Sequence, residues 1–175
     1  MITITISGLP GTGKTTVAEL LKTRLGLRYE YSGGIYREMA KKHKMSLEEF
    51  GKYCETHQEI DEKLDRNQLR ILRKGNVIVE GRISGWLAYR NNIPAVKVLL
   101  KAGINVRTGR IVKREQGDVE TRKKEISTRE KSEATRYKKY YGIDIRDTSI
   151  YDIIINTSDK TPEEILEIIL EHLEE

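Results

Sequence analysis

The stretch TISGLPGTGKTT, residues 5–16, constrains this chain more than any other. Gly8, Gly13, Lys14 and Thr15 fit G-x-x-x-x-G-K-[ST], a glycine-rich loop whose backbone N–H groups wrap a phosphate. The pattern has that meaning only between a strand and a helix, and both flanks comply. Ile2–Ser7 alternates β-branched residues, as a buried first strand does. From Lys14 the apolar positions Val17, Leu20, Leu21 and Leu25 fall on one helical face, and Gly26 stands where a C-cap belongs. Backbone N–H groups of residues 9–14 are therefore expected around a β-phosphate, with Gly8, Pro10, Gly11, Thr12 and Gly13 shaping the loop. Lys14 sets a compact positive charge against the β- and γ-phosphates, and the Thr15 hydroxyl is the expected Mg²⁺ ligand. Thr16 either touches the α-phosphate or lies plainly on the helix surface. The loop says that a triphosphate binds; it does not say where its terminal phosphoryl group goes.

At 175 residues the chain is one domain in size, residues 1–175, and large enough to bury a proper core. A single cysteine, Cys54, cannot form an internal disulfide, which points to a reducing cytosol. His43, His57 and His172 lie far apart in sequence, so no structural metal site is expected. The start MITITISG lacks the basic region of a signal peptide, and no apolar run approaches the length of a membrane span. The net charge of +5 admits nucleic acid, but the basic residues between Arg107 and Arg146 interleave with glutamates, as on a solvated face. The expectation is a cytoplasmic monomer acting on small molecules, with neither membrane nor nucleic acid as partner.

Further along, Arg28–Tyr31 reads as a second strand, leading into a glycine-hinged turn and a helix at YSGGIYREMAKKH. Ser46 and Glu49 form a capping box opening a helix towards His57. EIDEKLDRNQLRILRKG is a further helix ending at Gly75, and NVIVEG a third strand, central in the sheet by its continuous apolar run. AVKVLL is the fourth strand, and Asn105 a candidate cap for a helix carrying Arg107, Arg110 and Arg114. A polar helical stretch from Asp118 to about Tyr141 precedes a fifth strand, YDIIINTS. Thr161-Pro162-Glu163-Glu164 opens a last helix whose Ile165, Leu166, Ile168, Ile169, Leu170 and Leu173 form an apolar stripe. Alternating strands and helices with no linker or repeat imply one α/β domain built on a parallel sheet.

The acceptor of the phosphoryl group has to be read from other residues. Neither D-x-x-G after a strand nor N-K-x-D, the marks of signalling GTPases, stands in a suitable place. Instead the third strand ends in VEGRISGW, putting Glu80 and Arg82 at the carboxyl edge of the sheet, where open α/β folds bind ligands. Arg37, one turn into the helix after strand two, is placed to grip an acceptor phosphate, or is an ordinary solvated arginine. In TREKSEATRY, Arg129, Glu133 and Arg136 share one helical face. They are either a self-satisfied salt-bridge stripe or part of a closing lid that brings arginines onto the phosphates and expels water.

Taken together, GLPGTGKTT, YSGGIYRE, EGRISGW, the Arg129/Glu133/Arg136 pattern and IYDIIINTS resemble the cytidylate kinases over nearly the whole chain, most closely their compact archaeal form. The resemblance implies a P-loop NTPase fold with a five-stranded parallel sheet flanked by helices. It also implies a small helical segment for the nucleoside monophosphate at about 32–74 and a mobile lid at about 114–136. It implies transfer of the γ-phosphoryl group of ATP, with Mg²⁺, to CMP or dCMP. By the same carry-over Ser32, Arg37 and Arg136 hold the acceptor phosphate, Arg129 and Glu133 its ribose, and Lys14, Arg129 and Arg136 serve the transfer. Bacterial relatives have aspartate where this chain has Ile83, and that aspartate helps read cytosine; the larger insert of those relatives is also absent. Base reading must then come from elsewhere. Asp61, Asp65, Arg66 and Gln68 on one helix, with Arg82 near the acceptor, offer complementary groups; the alternative is that the helical four merely coat their helix.

Overall fold

The structure, a computed structural model, describes residues 2–174. Its centre is a parallel sheet of five strands: β1 (Ile4–Gly8), β2 (Arg28–Tyr31), β3 (Val77–Gly81), β4 (Val96–Lys101) and β5 (Ile153–Asn156). The spatial order is β2-β3-β1-β4-β5. The phosphate-loop strand β1 is therefore central, and β3 sits beside it between β1 and β2, with Thr5 opposite Val79 and Lys97. The chain leaves β1 towards one side and returns to the other, so its strand ends part at β1. That divergence makes the crevice in which doubly wound folds bind ligands.

Period-two alternation splits the core in two. Ile4, Ile6, Ile78, Val98 and Leu100 face α1 (Lys14–Leu25) and α8 (Pro162–Glu174), which contribute Val17, Leu21, Ile165 and Ile169. Val77 and Val79 face the other way, onto Leu72 of α4 (Gln58–Lys74), Trp86 and Leu87 of α5 (Ser84–Arg90), and Ile143. A third cluster of Tyr36, Ala40, Phe50, Cys54 and Ile60 ties α2 (Ser32–Lys42) and α3 (Leu47–Cys54) to α4. Both expected capping boxes form: Ser46 with Glu49, and Thr161 with Glu164.

Three expectations need correction, and one helix carried no sequence signal. No hinge precedes α2; the helix starts at Ser32 directly after β2, with both glycines in its first turn. Asn105 caps nothing, because α6 (Ile104–Glu115) already has Gly103 as N-cap. The short helix α5, buried at five of its seven residues, was not foreseen, since continuous burial leaves no amphipathic pattern to detect. The polar helix α7 (Val119–Tyr141) has its expected cap at Asp118 but is no exposed flap along its whole length. Lys113 to Thr121 are exposed throughout, whereas Ile126, Ser132, Glu133, Arg136 and Tyr137 are buried. Among the described residues no helix is long and apolar enough to cross a membrane.

Candidate active site

The carboxyl ends of β1 and β3 open into a cavity of about 290 Å³ closed by α2, α4 and α7. At one end lies the phosphate loop. Gly8 leaves β1 against its neighbour strand; a Cβ there would stand 2.6 Å from the Leu100 carbonyl oxygen. Gly11 has φ +80° and presses on Arg107, whose carbonyl oxygen would be 2.7 Å from an added Cβ. The loop's carbonyls are held from outside. Arg107 Nη1 donates to Pro10 (3.2 Å), Arg110 Nη1 to Gly11 (3.3 Å) and the Thr157 hydroxyl to Thr12 (3.0 Å). In α1 the first N–H to find a helical carbonyl is that of Val17, bonded to Gly13 at 3.1 Å. The amides of Lys14, Thr15 and Thr16 before it have no intrahelical acceptor. With carbonyls tied back and amides leading, the loop is built for an anion.

Lys14 Nζ donates to the Leu9 carbonyl at 3.0 Å. Burial, and next the charge of Arg82, depress this ammonium well below the usual lysine range. An arriving polyphosphate offsets both influences by setting negative charge against the ammonium. The Thr15 hydroxyl donates to Glu80 Oε1 at 3.1 Å, and Tyr29 donates to the other Glu80 oxygen. Thr16 is exposed at the cavity wall. Gly8 and Thr12 lie outside the cavity lining; the Thr12 hydroxyl donates to Leu9 (2.9 Å), so both shape the loop from behind.

Opposite the loop, Glu133 binds two arginines. Arg82 Nε donates to its Oε2 at 2.8 Å and Arg129 Nε to its Oε1 at 3.1 Å, while Arg82 Nη1 also reaches the Gly8 carbonyl at 3.2 Å. Burial alone would push the Glu133 carboxyl up, but the charges of Arg82, Arg129 and Arg136 outweigh it and hold it at about 2. The Arg129–Glu133 contact expected from helical spacing is present; Arg136 turns elsewhere. It is 1% exposed, with Nε 2.8 Å from Asp61 Oδ2 and Nη1 donating to Ser132 (3.1 Å) and Gly51 (3.3 Å). The Tyr36 ring lies under both Arg129 and Arg136, 5.8 and 5.7 Å from their guanidinium carbons. Ser32 donates to the Glu80 carbonyl at 2.7 Å, and Arg37 pairs with Glu115 of α6 at 3.6 Å while its buried Nε has no partner among the described residues.

Of the four residues offered for base reading, the structure separates three from one. Asp61, Asp65 and Gln68 share the inner face of α4 and line the cavity. Asp61 is engaged by Arg136, however, and Arg66 is not in the cavity at all. One residue past Asp65 the helix has turned by a quarter circle, and Arg66 lies exposed, paired with Glu62 at 3.4 Å. Asp65 accepts from the Tyr141 hydroxyl at 2.6 Å; burial nevertheless pushes its carboxyl up to about 7. Sequence reasoning missed Tyr36 and Tyr141, aromatic residues one would assign to a core, and the side-by-side placement of Glu80 with Thr15. The signal for the last was the carboxylate at the end of the strand next to β1.

Glu133 carries a prediction. Glu133→Gln leaves two buried guanidinium groups unneutralised, and an expected loss of about 3–5 kcal/mol follows. Because the folded carboxyl sits near 2 against an ordinary 4.5, its contribution is complete above pH 4.5 and fades as pH falls towards 2. Urea unfolding of wild type and variant should therefore differ most near neutrality and converge in acid. A difference independent of pH would contradict the assignment.

The profile of the cytidylate kinase-like family matches residues 3–159. A cytidylate kinase of Methanocaldococcus jannaschii is 47% identical over 95% of this chain and 94% of its own. One of Pyrococcus horikoshii is 45% identical over 99% of this chain and 90% of its own. A shikimate kinase of Bacteroides thetaiotaomicron, 14% identical, superposes with a TM-score of 0.62 over 99% of each chain, which shows the fold alone. Phosphate loop, facing arginines and near end-to-end likeness agree: the chain belongs to the cytidylate kinase-like family.

Proposed function

We propose that the protein transfers the γ-phosphoryl group of ATP to CMP and dCMP, releasing ADP and the nucleoside diphosphate. The observation that carries this reading is one cavity with two cationic walls: the phosphate loop with Lys14 on one side, Arg37, Arg82, Arg129 and Arg136 on the other. A hydrolase needs one anion site and a water; two facing anion sites suit a donor and an acceptor that both carry phosphate. In the transfer an acceptor phosphate oxygen forms a bond to the γ-phosphorus as the bridging β–γ oxygen bond breaks. The charge moving between them stays among fixed cations, which act most strongly when bound substrates displace water from the site.

Thr15 Oγ1 and Glu80 Oε1, 3.1 Å apart, are hard oxygen donors beside the loop and fit Mg²⁺. Bound there, the ion would neutralise the β- and γ-phosphate oxygens. Glu133 keeps Arg82 and Arg129 side by side before substrate arrives, and Arg129 meets it through Nε only, leaving its outer nitrogens for phosphate or ribose. Ser32 and Arg37, at the start of α2, are assigned to the acceptor phosphate, within an acceptor segment of about 32–74. The mobile part of the lid is assigned to the exposed corner from about Arg114 to Glu125. Arg37–Glu115 is its contact with α2, and the half of α7 from Ile126 onward is anchored by burial. One chain supplies both walls and the lone Cys54 is a free thiol; a monomer in the cytoplasm completes the proposal.

The test is ADP release with AMP, GMP, UMP, CMP and dCMP in turn. CMP and dCMP should be the best acceptors, with little release when no acceptor is added. Equal rates with and without a monophosphate would contradict the reading.

A further inference from the structure

Beside Gly81, a side chain that lines the cavity holds a polar atom unmatched among the described residues. Gln68, on α4, is 4% exposed and lines the cavity. Its amide nitrogen donates to Asp65 Oδ1 at 3.1 Å, and the second Asp65 oxygen accepts from the Tyr141 hydroxyl at 2.6 Å. With Asp65 ionised, this chain of bonds gives the amide a direction: turned over, its oxygen would face a carboxylate oxygen. The NH₂ group therefore points at Asp65 and Oε1 points away from it. Gln68 Oε1 is buried and accepts no hydrogen bond among the described residues. It lies close over Gly81, where an added Cβ would stand 2.8 Å from it and 2.9 Å from Ser32 Oγ.

A buried acceptor without a donor is costly, and such an atom on a side chain that lines a substrate cavity calls for a donor from the substrate once that side chain meets it. We propose that Gln68 reads the base of the acceptor nucleotide, its Oε1 receiving an N–H of the exocyclic amino group of cytosine, and that Asp65, braced by Tyr141, is the positioning residue that fixes the amide for this. The proposal rests on the nucleoside monophosphate kinase reading above. Cytosine has an amino donor where uracil has a carbonyl oxygen, so uracil would set acceptor against acceptor at this point and leave both buried and unpaired. Ile83, 1% exposed on the cavity wall, offers no polar group to compensate. Discrimination of this kind is large because the wrong base is penalised by unpaired groups, not merely less attracted.

The test measures kcat and KM separately for CMP, dCMP and UMP at saturating ATP on the full chain. Gln68→Leu keeps a similar volume but has no acceptor; it should lower the CMP-over-UMP ratio of kcat/KM by at least about tenfold, with the loss falling on KM for CMP more than on kcat. Asp65→Asn can present an NH₂ to Gln68, allowing the amide to turn and offer its own NH₂ to the base. In that variant UMP should improve as CMP worsens. A merely structural role would slow both substrates together and leave the ratio unchanged, and an unchanged ratio in both variants overturns the proposal. A shifted CMP-to-dCMP ratio with CMP-to-UMP intact would place the ribose on Oε1 and overturn it as well. Should Gln68→Leu fail to fold, the Asp65→Asn ratio decides. Wild type that does not phosphorylate CMP at all removes the kinase reading and this inference with it, whereas active wild type with variants of unchanged ratio removes the inference alone.

Discussion

Replacing Lys14 with alanine should slow phosphoryl transfer by about a thousandfold or more while leaving the melting temperature within a few degrees of wild type. The two halves have one cause. Lys14 is buried, its ammonium depressed by desolvation and by Arg82, and its partner in the free protein is a single backbone carbonyl, that of Leu9. Removing a poorly solvated, repelled charge costs the empty fold little. In the proposed ternary complex the same ammonium would face the β- and γ-phosphates, where charge develops. Turnover with ATP and CMP, alongside a thermal melt, measures both. Near-normal turnover in a folded variant would mean that the loop does not hold the reacting triphosphate.

Arg136 should behave in the opposite way and fail on both counts. It is among the largest fully buried side chains, and Arg136→Ala strands Asp61 without its counter-charge and leaves the Gly51 carbonyl short of a donor. The expected destabilisation is about 3–5 kcal/mol. Turnover at saturating substrates should fall by roughly a thousandfold, if the guanidinium acts on the moving phosphoryl group as an arginine supplied within the chain. Arg136→Lys keeps a charge but not the planar fork, so it recovers only part of either loss. Asp61→Leu combined with Arg136→Met separates the two effects. That pair removes both charges at similar volume and should regain most of the stability while remaining inactive. A stable, active Arg136→Ala would show that the residue neither braces the wall nor serves the reaction.

These two residues also show where the sequence was readable. Lys14 was plain because a phosphate loop is contiguous: strand, glycines, lysine and helix signal all fall within a few residues, and the chain order alone sets their geometry. Strand β3 was legible for a similar reason, since burial on both faces writes the apolar run Val77 to Val79 into the sequence. Arg136 was found on the correct helix face, but its ion-pair partner was not. Its partner Asp61 is 75 positions away, and no local period reports a contact of that span. The inner face of α7 is made of Ser132, Glu133, Arg136 and Tyr137, so hydrophobic patterning reads a buried wall as a solvated flap. Arg66 failed for the converse reason: charge complementarity to cytosine was counted along the chain, whereas the helix turns that residue out to solvent.

If the terminal phosphoryl group goes to a nucleoside monophosphate, a label on that group must reappear on the acceptor. Incubating the protein with γ-labelled ATP and unlabelled CMP, then separating the products, tests it most directly. Label should appear in the β-phosphate of CDP in step with ADP release, and only when both Mg²⁺ and CMP are present. Label accumulating as inorganic phosphate at a rate indifferent to CMP would contradict the account.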